Sequence, residues 1–264
     1  MARSDFLQKI LEKKKREVQK ARERISEQDL WEQSLDAGPR RGFFRNLSAI
    51  PEAGVHIIAE IKRASPSKGV LRENLDASAQ ARAYEEGGAS AISVLTDQAF
   101  FGAREDDLKD ARRPVRLPVL RKDFVISTYQ IFQSAVMGAD AILLIAAALS
   151  DTFLREAISI SRETGLDALV ETHTAEEVDR ALAAGAEIVG INNRNLSTFE
   201  TDINTCIRLA EKIPAGKVIV AESGIRNRGD ILAVQKAGIR CFLIGESLVK
   251  SDDPKKALAE LLGR

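Results

Sequence analysis

From Val55 onward, short apolar runs rich in Val and Ile alternate with longer segments whose apolar residues recur at helical spacing. Most of the short runs lack the strict alternation of a half-exposed strand, which predicts strands buried on both faces, as in a parallel sheet covered by helices. Eight are predicted: Val55–Lys62, Ala91–Thr96, Pro118–Lys122, Ala141–Ile145, Ala168–Glu171, Ile188–Asn192, Val218–Glu222 and Cys241–Gly245. Helical patterns cover Leu75–Glu86, Thr128–Met137, Asp151–Thr164, Ala175–Ala184, Asp202–Ile213, Arg228–Ala237 and Pro254–Leu262, with another near Asp106–Ala111 and a short piece at Glu246–Val249. Glycine steps such as Gly87-Gly88-Ala89, Gly138-Ala139-Asp140 and Gly185-Ala186-Glu187 precede many strands and read as helix caps, where a left-handed backbone favours glycine. Eight such units in about 210 residues predict an α/β protein of the closed (β/α)8 TIM barrel kind. An open doubly wound sheet is disfavoured, because no GxGxxG turn follows the first strand.

Ahead of the barrel, Phe6, Ile10, Leu11 and Val18 lie at roughly helical spacing among many charges, so Asp5–Ser26 reads as one amphipathic helix with Lys13–Arg16 on its solvated face. Gly38, Pro39, Gly42 and Pro51 surround the apolar pair Phe43-Phe44 and read as a connection. The expected organisation is an N-terminal helical extension over 1–50, packed on a catalytic barrel over 51–264.

Charge narrows the function. The 39 basic and 39 acidic side chains balance, which argues against nucleic acid or a membrane surface as partner. Cys206 and Cys241 lack CxxC spacing, and His56 and His173 are the two histidines, so neither a metal nor a disulfide framework is expected. With no secretory-type apolar core in 1–24 and no apolar run near 20 residues, a cytoplasmic protein is expected.

Active sites of this fold collect at the C-terminal ends of the strands, and polar residues stand at nearly all of those ends here. Strand one ends in Glu60 and Lys62, which share a face; strand three in Lys122, with Phe124 on the same side; strand five in Glu171; strand six in Asn192 and Arg194; strand seven in Glu222. Unpaired charges inside a barrel cost several kcal/mol each, so such a set must compensate internally and points to catalysis. Two lysines and three glutamates in proximity shift one another's pKa values and supply both a proton donor and an acceptor. A lysine alone would equally suit a Schiff-base aldolase.

A phosphate clamp is the second constellation. Ser223 and Gly224 follow Glu222, and Gly245 and Glu246 lead into the short helix after strand eight. Their backbone N–H groups and that helix's N-terminus would face a common anion, with the Glu246 side chain turned away.

The segment Ile58-Ala59-Glu60-Ile61-Lys62-Arg63-Ala64-Ser65-Pro66-Ser67-Lys68-Gly69 resembles the first-strand signature of indole-3-glycerol phosphate synthases. Further matches are Leu120-Arg121-Lys122-Asp123-Phe124, Val170-Glu171-Thr172-His173, Gly190-Ile191-Asn192-Asn193-Arg194-Asn195-Leu196, Ala221-Glu222-Ser223-Gly224-Ile225 and Leu243-Ile244-Gly245-Glu246-Ser247-Leu248. The resemblance implies a cofactor-independent lyase of tryptophan biosynthesis. It would close the ring of 1-(2-carboxyphenylamino)-1-deoxyribulose 5-phosphate and release carbon dioxide and water. It further implies Lys122 as the acid on the developing alkoxide, and Glu171 or the pair Glu60 and Lys62 in the dehydration. Asn192 and Arg194, assisted by Ser65, would orient the substrate, while Lys62 would also reach the phosphate. Phe101, Phe124, Leu143 and Leu196 are candidate walls for the aryl ring, and Ser65–Gly69, with Pro66, is a candidate lid. No oligomer is required for the site. A phosphoribosylanthranilate isomerase would instead need a catalytic Cys and Asp, and neither cysteine lies at a strand's C-terminal end. A non-catalytic binding barrel would be expected to lack Lys122, Glu171 or Lys62.

Overall fold

The computed structural model describes residues 4–66, 68–195 and 200–264. Eight parallel strands close into a barrel: β1 His56–Ile61, β2 Ala91–Leu95, β3 Val119–Lys122, β4 Ala141–Ile145, β5 Asp167–Thr172, β6 Ile188–Asn192, β7 Val218–Glu222 and β8 Cys241–Ile244. Each pairs with the next, and β8 returns to β1 with Ile58 opposite Leu243. The predicted TIM barrel is therefore the observed fold.

Side-chain alternation divides the interior into two cores. On β1, Ile57, Ala59 and Ile61 face outward onto helical residues such as Ala81 and Tyr84. Ile58 instead meets Leu120, Leu143, Leu169, Val220 and Leu243 inside the barrel. Two residues further along several strands the inward residue becomes charged, at Glu60, Lys122, Glu171 and Glu222. The apolar interior thus forms a floor beneath a polar mouth.

The extension corrects three sequence expectations. The expected helix Asp5–Ser26 is present as Ser4–Arg22 and stops short of Ser26, whose side chain accepts from the Asp29 N–H and starts a further helix, Glu27–Leu35, that was not expected. The Gly38–Pro51 connection contains a further helix, Phe43–Ser48, whose Phe43 and Leu47 are buried in the barrel-interior cluster and plug its lower end. Carboxylates at the strand starts hold this plug: Asp140 accepts from the Arg41 N–H at 2.8 Å and Asp167 from the Phe44 N–H at 2.8 Å.

The third correction concerns Lys14. Lys13, Lys15 and Arg16 are solvated, but Lys14 is buried, its ammonium 2.9 Å from Asp97 and 2.8 Å from Asp123. It lies one turn from buried Ile10, on the stripe facing the barrel. Burial raises the Asp123 pKa, but Arg121 and Lys14 outweigh it and hold the group at about 2. A Lys14→Met variant should lose about 3–5 kcal/mol of stability in urea titration, because buried Asp97 loses its cation and buried Asp123 keeps only Arg121. A loss below about 1 kcal/mol would show that this contact contributes little to the fold.

Candidate active site

The polar mouth is built from side chains at the C-terminal ends of β1, β3, β5, β6 and β7. The Lys122 ammonium, on β3, lies 3.1 Å from Glu171 on β5 and 3.3 Å from Glu222 on β7. Lys62, just past β1, pairs with Glu60 on the same face. Asn192, ending β6, accepts the Arg194 N–H at 3.0 Å, and its side chain also hydrogen-bonds Glu171. The six residues expected to be catalytic therefore converge.

Two glycines make room for the carboxylates. A side chain at Gly190 on β6 would collide with Glu222 Oε1, and one at Gly245 would collide with Glu60. The bare strand backbone at these positions provides the slots into which the glutamates fold.

The same burial acts differently on the two glutamates flanking Lys122. Desolvation pushes both upward. For Glu171 the charge of Lys122, then that of His173, and hydrogen bonds from Lys122 and Asn192 outweigh it, and the group is held below the ordinary carboxylate range. For Glu222 desolvation wins over the attraction of Lys122, helped by repulsion from Glu171 and Glu60, and its pKa is raised. Its Oε1 is buried without a hydrogen-bond partner. Desolvation would also discharge Lys122, but Glu171, Glu222 and Glu60 together hold its pKa above that of a free lysine. The mouth thus carries an ammonium donor, an ionised carboxylate and a carboxyl able to hold a proton near neutrality, which is a complete acid–base set.

The residues expected to clamp an anion follow β7 and β8. Ser223 has φ 64°, the one positive value among described non-glycine residues, and Gly224 continues with φ 82°. Two successive left-handed residues make a tight, strained turn at the end of β7. The helix Glu246–Lys250 begins at Gly245 with no side-chain cap, which leaves its first N–H groups open. Glu246 bonds Lys250 at 2.8 Å and approaches Arg194 at 3.9 Å. Its pKa is lowered by the Lys250 hydrogen bond first, and then by the charges of Lys250, Lys68 and Lys62. Lys62, Lys68, Lys250 and Arg194 thus surround one small region.

Of the candidate aryl walls, Phe124 packs against the interior cluster that contains Leu143. The Phe101 and Phe124 rings lie 6.2 Å apart at 36°. Leu143 sits deeper, paired in register with Leu169 two residues before Glu171. Ser65 is buried in a short hairpin formed by Ala64–Ser65 and Gly69–Val70, while Pro66 is exposed. Leu196 lies outside the described residues. Sequence reasoning missed Ser247, whose Oγ is buried without a partner on the helix that follows Gly245. A hydroxyl immediately after the predicted clamp was the available signal.

The family profile described as indole-3-glycerol phosphate synthase matches residues 7–261. The chain belongs to the indole-3-glycerol phosphate synthase family. The indole-3-glycerol phosphate synthase of Syntrophobacter fumaroxidans is 54% identical over 260 residues, covering 98% of both chains. That of Sulfurimonas denitrificans is 51% identical over 221 residues, 84% of each. Among solved structures, a 3-hexulose-6-phosphate synthase superposes with TM-score 0.63 at 17% identity, over 79% of this chain and 98% of the other. A thiamine phosphate pyrophosphorylase from Pyrococcus furiosus gives TM-score 0.60 at 17% identity, over 82% of this chain and 95% of the other. At these identities the likeness is one of fold. Indole-3-glycerol phosphate synthase membership fits a mouth that sets an acid–base group beside a cluster of cations and uncapped backbone N–H groups, since the family's substrate is a small sugar phosphate.

Proposed function

We propose that this chain performs the indole-3-glycerol phosphate synthase reaction with Lys122 as the acid of ring closure and Glu171 as the base of dehydration. The observation that carries the reading is the Lys122 ammonium held between two buried glutamates whose pKa values are pushed in opposite directions. The aryl carbon bearing the carboxylate adds to the substrate ketone, and Lys122 protonates the oxygen that becomes negative. Carbon dioxide then leaves and restores the aromatic ring. The new hydroxyl departs as water with a proton from Lys62, which Glu60 holds in place, and Glu171 removes the carbon-bound proton that completes the indole.

The backbone N–H groups after β7 and β8, with Lys62 and Ser247, take the phosphate. Asn192 and Arg194 orient the substrate between the two centres, with Ser65 and Ser223 beside them, and Phe101 and Phe124 flank the ring. This chemistry needs no cofactor, metal, nucleic acid or membrane. No described helix is long and apolar enough to cross one. The two free cysteines fit a reducing cytoplasm.

Indole absorbance and fluorescence should appear when the purified protein meets the carboxyphenylamino sugar phosphate. Absence of product despite tight binding would point to a binding barrel and end this reading. Ser247→Ala should raise KM about tenfold or more with little change in kcat, the signature of a lost hydrogen bond to a charged group. An unchanged KM would remove Ser247 from the clamp.

A further inference from the structure

His173 is not required by the reading above, yet its ring lies between two carboxylates. It follows β5 directly, two residues beyond Glu171, with its side chain 10% exposed. Its backbone N–H donates to Glu177 Oε2 at 2.7 Å, and its Nδ1 lies 3.3 Å from the same oxygen. Nε2, otherwise buried without a partner, lies 3.4 Å from Glu171 Oε1. The other Glu171 oxygen faces Lys122. Glu177 is itself held, since Thr174 caps the helix Ala175–Ala183 at the Glu177 N–H.

Either neutral tautomer of this ring would set a lone pair toward an anionic oxygen, whereas the imidazolium presents an N–H to each side, as a hydrogen bond to Glu177 and a 3.4 Å charge contact with Glu171. The surroundings favour that cation. Glu171 on β5, Glu222 on β7 and Glu177 on the following helix all bear on the ring, with Lys122 on β3 beyond Glu171. Glu60, Glu171 and Glu222 share two ammonium groups, Lys62 and Lys122, and Glu177 adds a fourth carboxylate beside the ring, so a third cation improves the balance.

We propose that His173 is a positioning residue: as an imidazolium bridging Glu177 and Glu171, it holds Glu171 in the ionised form that accepts the substrate's proton and leaves the shared proton of the mouth on Glu222. The inference rests on Glu171 acting as the base. It explains why two glutamates at similar distances from one lysine diverge, since the Glu171 side chain alone has a second cation within 4 Å. Burial lowers the His173 pKa, but the hydrogen bond the ring donates to Glu177 and the charges of Glu171, Glu177 and Glu222 outweigh it and raise the value above that of a free histidine. The sign follows. The imidazolium's contribution to stability is fully present below the unfolded histidine value of about 6.5 and is lost as pH rises through the higher folded value.

Imidazole ¹⁵N resonances test the charge directly. The chain has two histidines, so the His173 signal is the one missing from a His173→Gln spectrum. Both ring nitrogens should be protonated at pH 7, with titration above about 6.5. A ring that is neutral at pH 7 would overturn the proposal whatever the enzyme's activity, which separates it from failure of the catalytic reading. In kinetics, His173→Gln should move the acidic limb of kcat/KM upward by about one to three pH units, with the rate recovering at higher pH. A loss of rate that is uniform in pH would reduce His173 to a structural role and reject the inference.

Discussion

A Lys122→Met variant should bind substrate with nearly unchanged KM and lose kcat by a factor of about 10² to 10⁴, the usual contribution of a positioned general acid. Methionine keeps most of the side chain's volume, so the barrel mouth stays filled while the ammonium is lost. That ammonium contacts Glu171 at 3.1 Å and Glu222 at 3.3 Å, and its removal leaves both without their cation from β3. Glu171 is the more exposed to this loss, because its pKa is depressed chiefly by Lys122. A depressed carboxylate contributes stability above its unfolded pKa, about 4.3, and that contribution fades as pH falls through the folded value. The deficit of Lys122→Met in urea unfolding should therefore be largest near pH 7, at up to about 3–5 kcal/mol, and should shrink only below about pH 4, as Glu171 protonates on the way to about pH 2. Stopped-assay indole formation and unfolding across this pH range check both halves. Turnover within tenfold of wild type would exclude Lys122 as the acid.

The barrel was legible because strands buried on both faces leave continuous apolar runs that need no alternation to be seen. Thr128–Met137 and Pro254–Leu262 match their expected bounds because their caps are written in the chain: Ser127 and Gly138 at one, Asp253 and Gly263 at the other. Phe43–Ser48 was invisible. Six residues are too few to show a period, and the helix owes its existence to Phe43 and Leu47 entering the barrel floor. Lys14 was hidden among four successive basic residues, although its spacing from Ile10 placed it on the inward stripe. The charged strand ends stood out, since core packing rejects them. What they touch did not, because Lys122 to Glu222 is a contact across 100 residues set by barrel closure. The Glu171, His173 and Glu177 spacing was present in one stretch of chain, and its meaning appeared once the ring was seen between the two carboxylates.

Gly190→Ala should cost about 10² in kcat through a single added methyl group. Glycine inside a strand weakens it, so its presence at the centre of β6 needs a cause, and the cause lies on β7. The missing side chain is the slot that receives Glu222 Oε1, with the Glu222 carboxyl carbon 3.4 Å and Leu169 Cδ1 3.2 Å from the Cβ position. An added methyl cannot move outward, because strand pairing fixes Gly190 between Glu171 on β5 and Val220 on β7. The Glu222 carboxyl must therefore swing out of its dry pocket. Two consequences follow. Its raised pKa, which comes first from burial, should fall back toward the ordinary carboxylate range, so the proton it holds near neutrality is released to solvent. Lys122, no longer held on that side, should lose its fixed position, and a displacement of about 1 Å at a reacting group is enough for a hundredfold loss. Overpacking adds about 1–3 kcal/mol of destabilisation. A Gly190→Ala/Glu222→Ala double variant separates the two effects, since removing the carboxyl relieves the clash without restoring the proton site. It should regain stability and remain slow. If the single variant turns over normally, the slot at Gly190 is not what holds Glu222 in the working mouth.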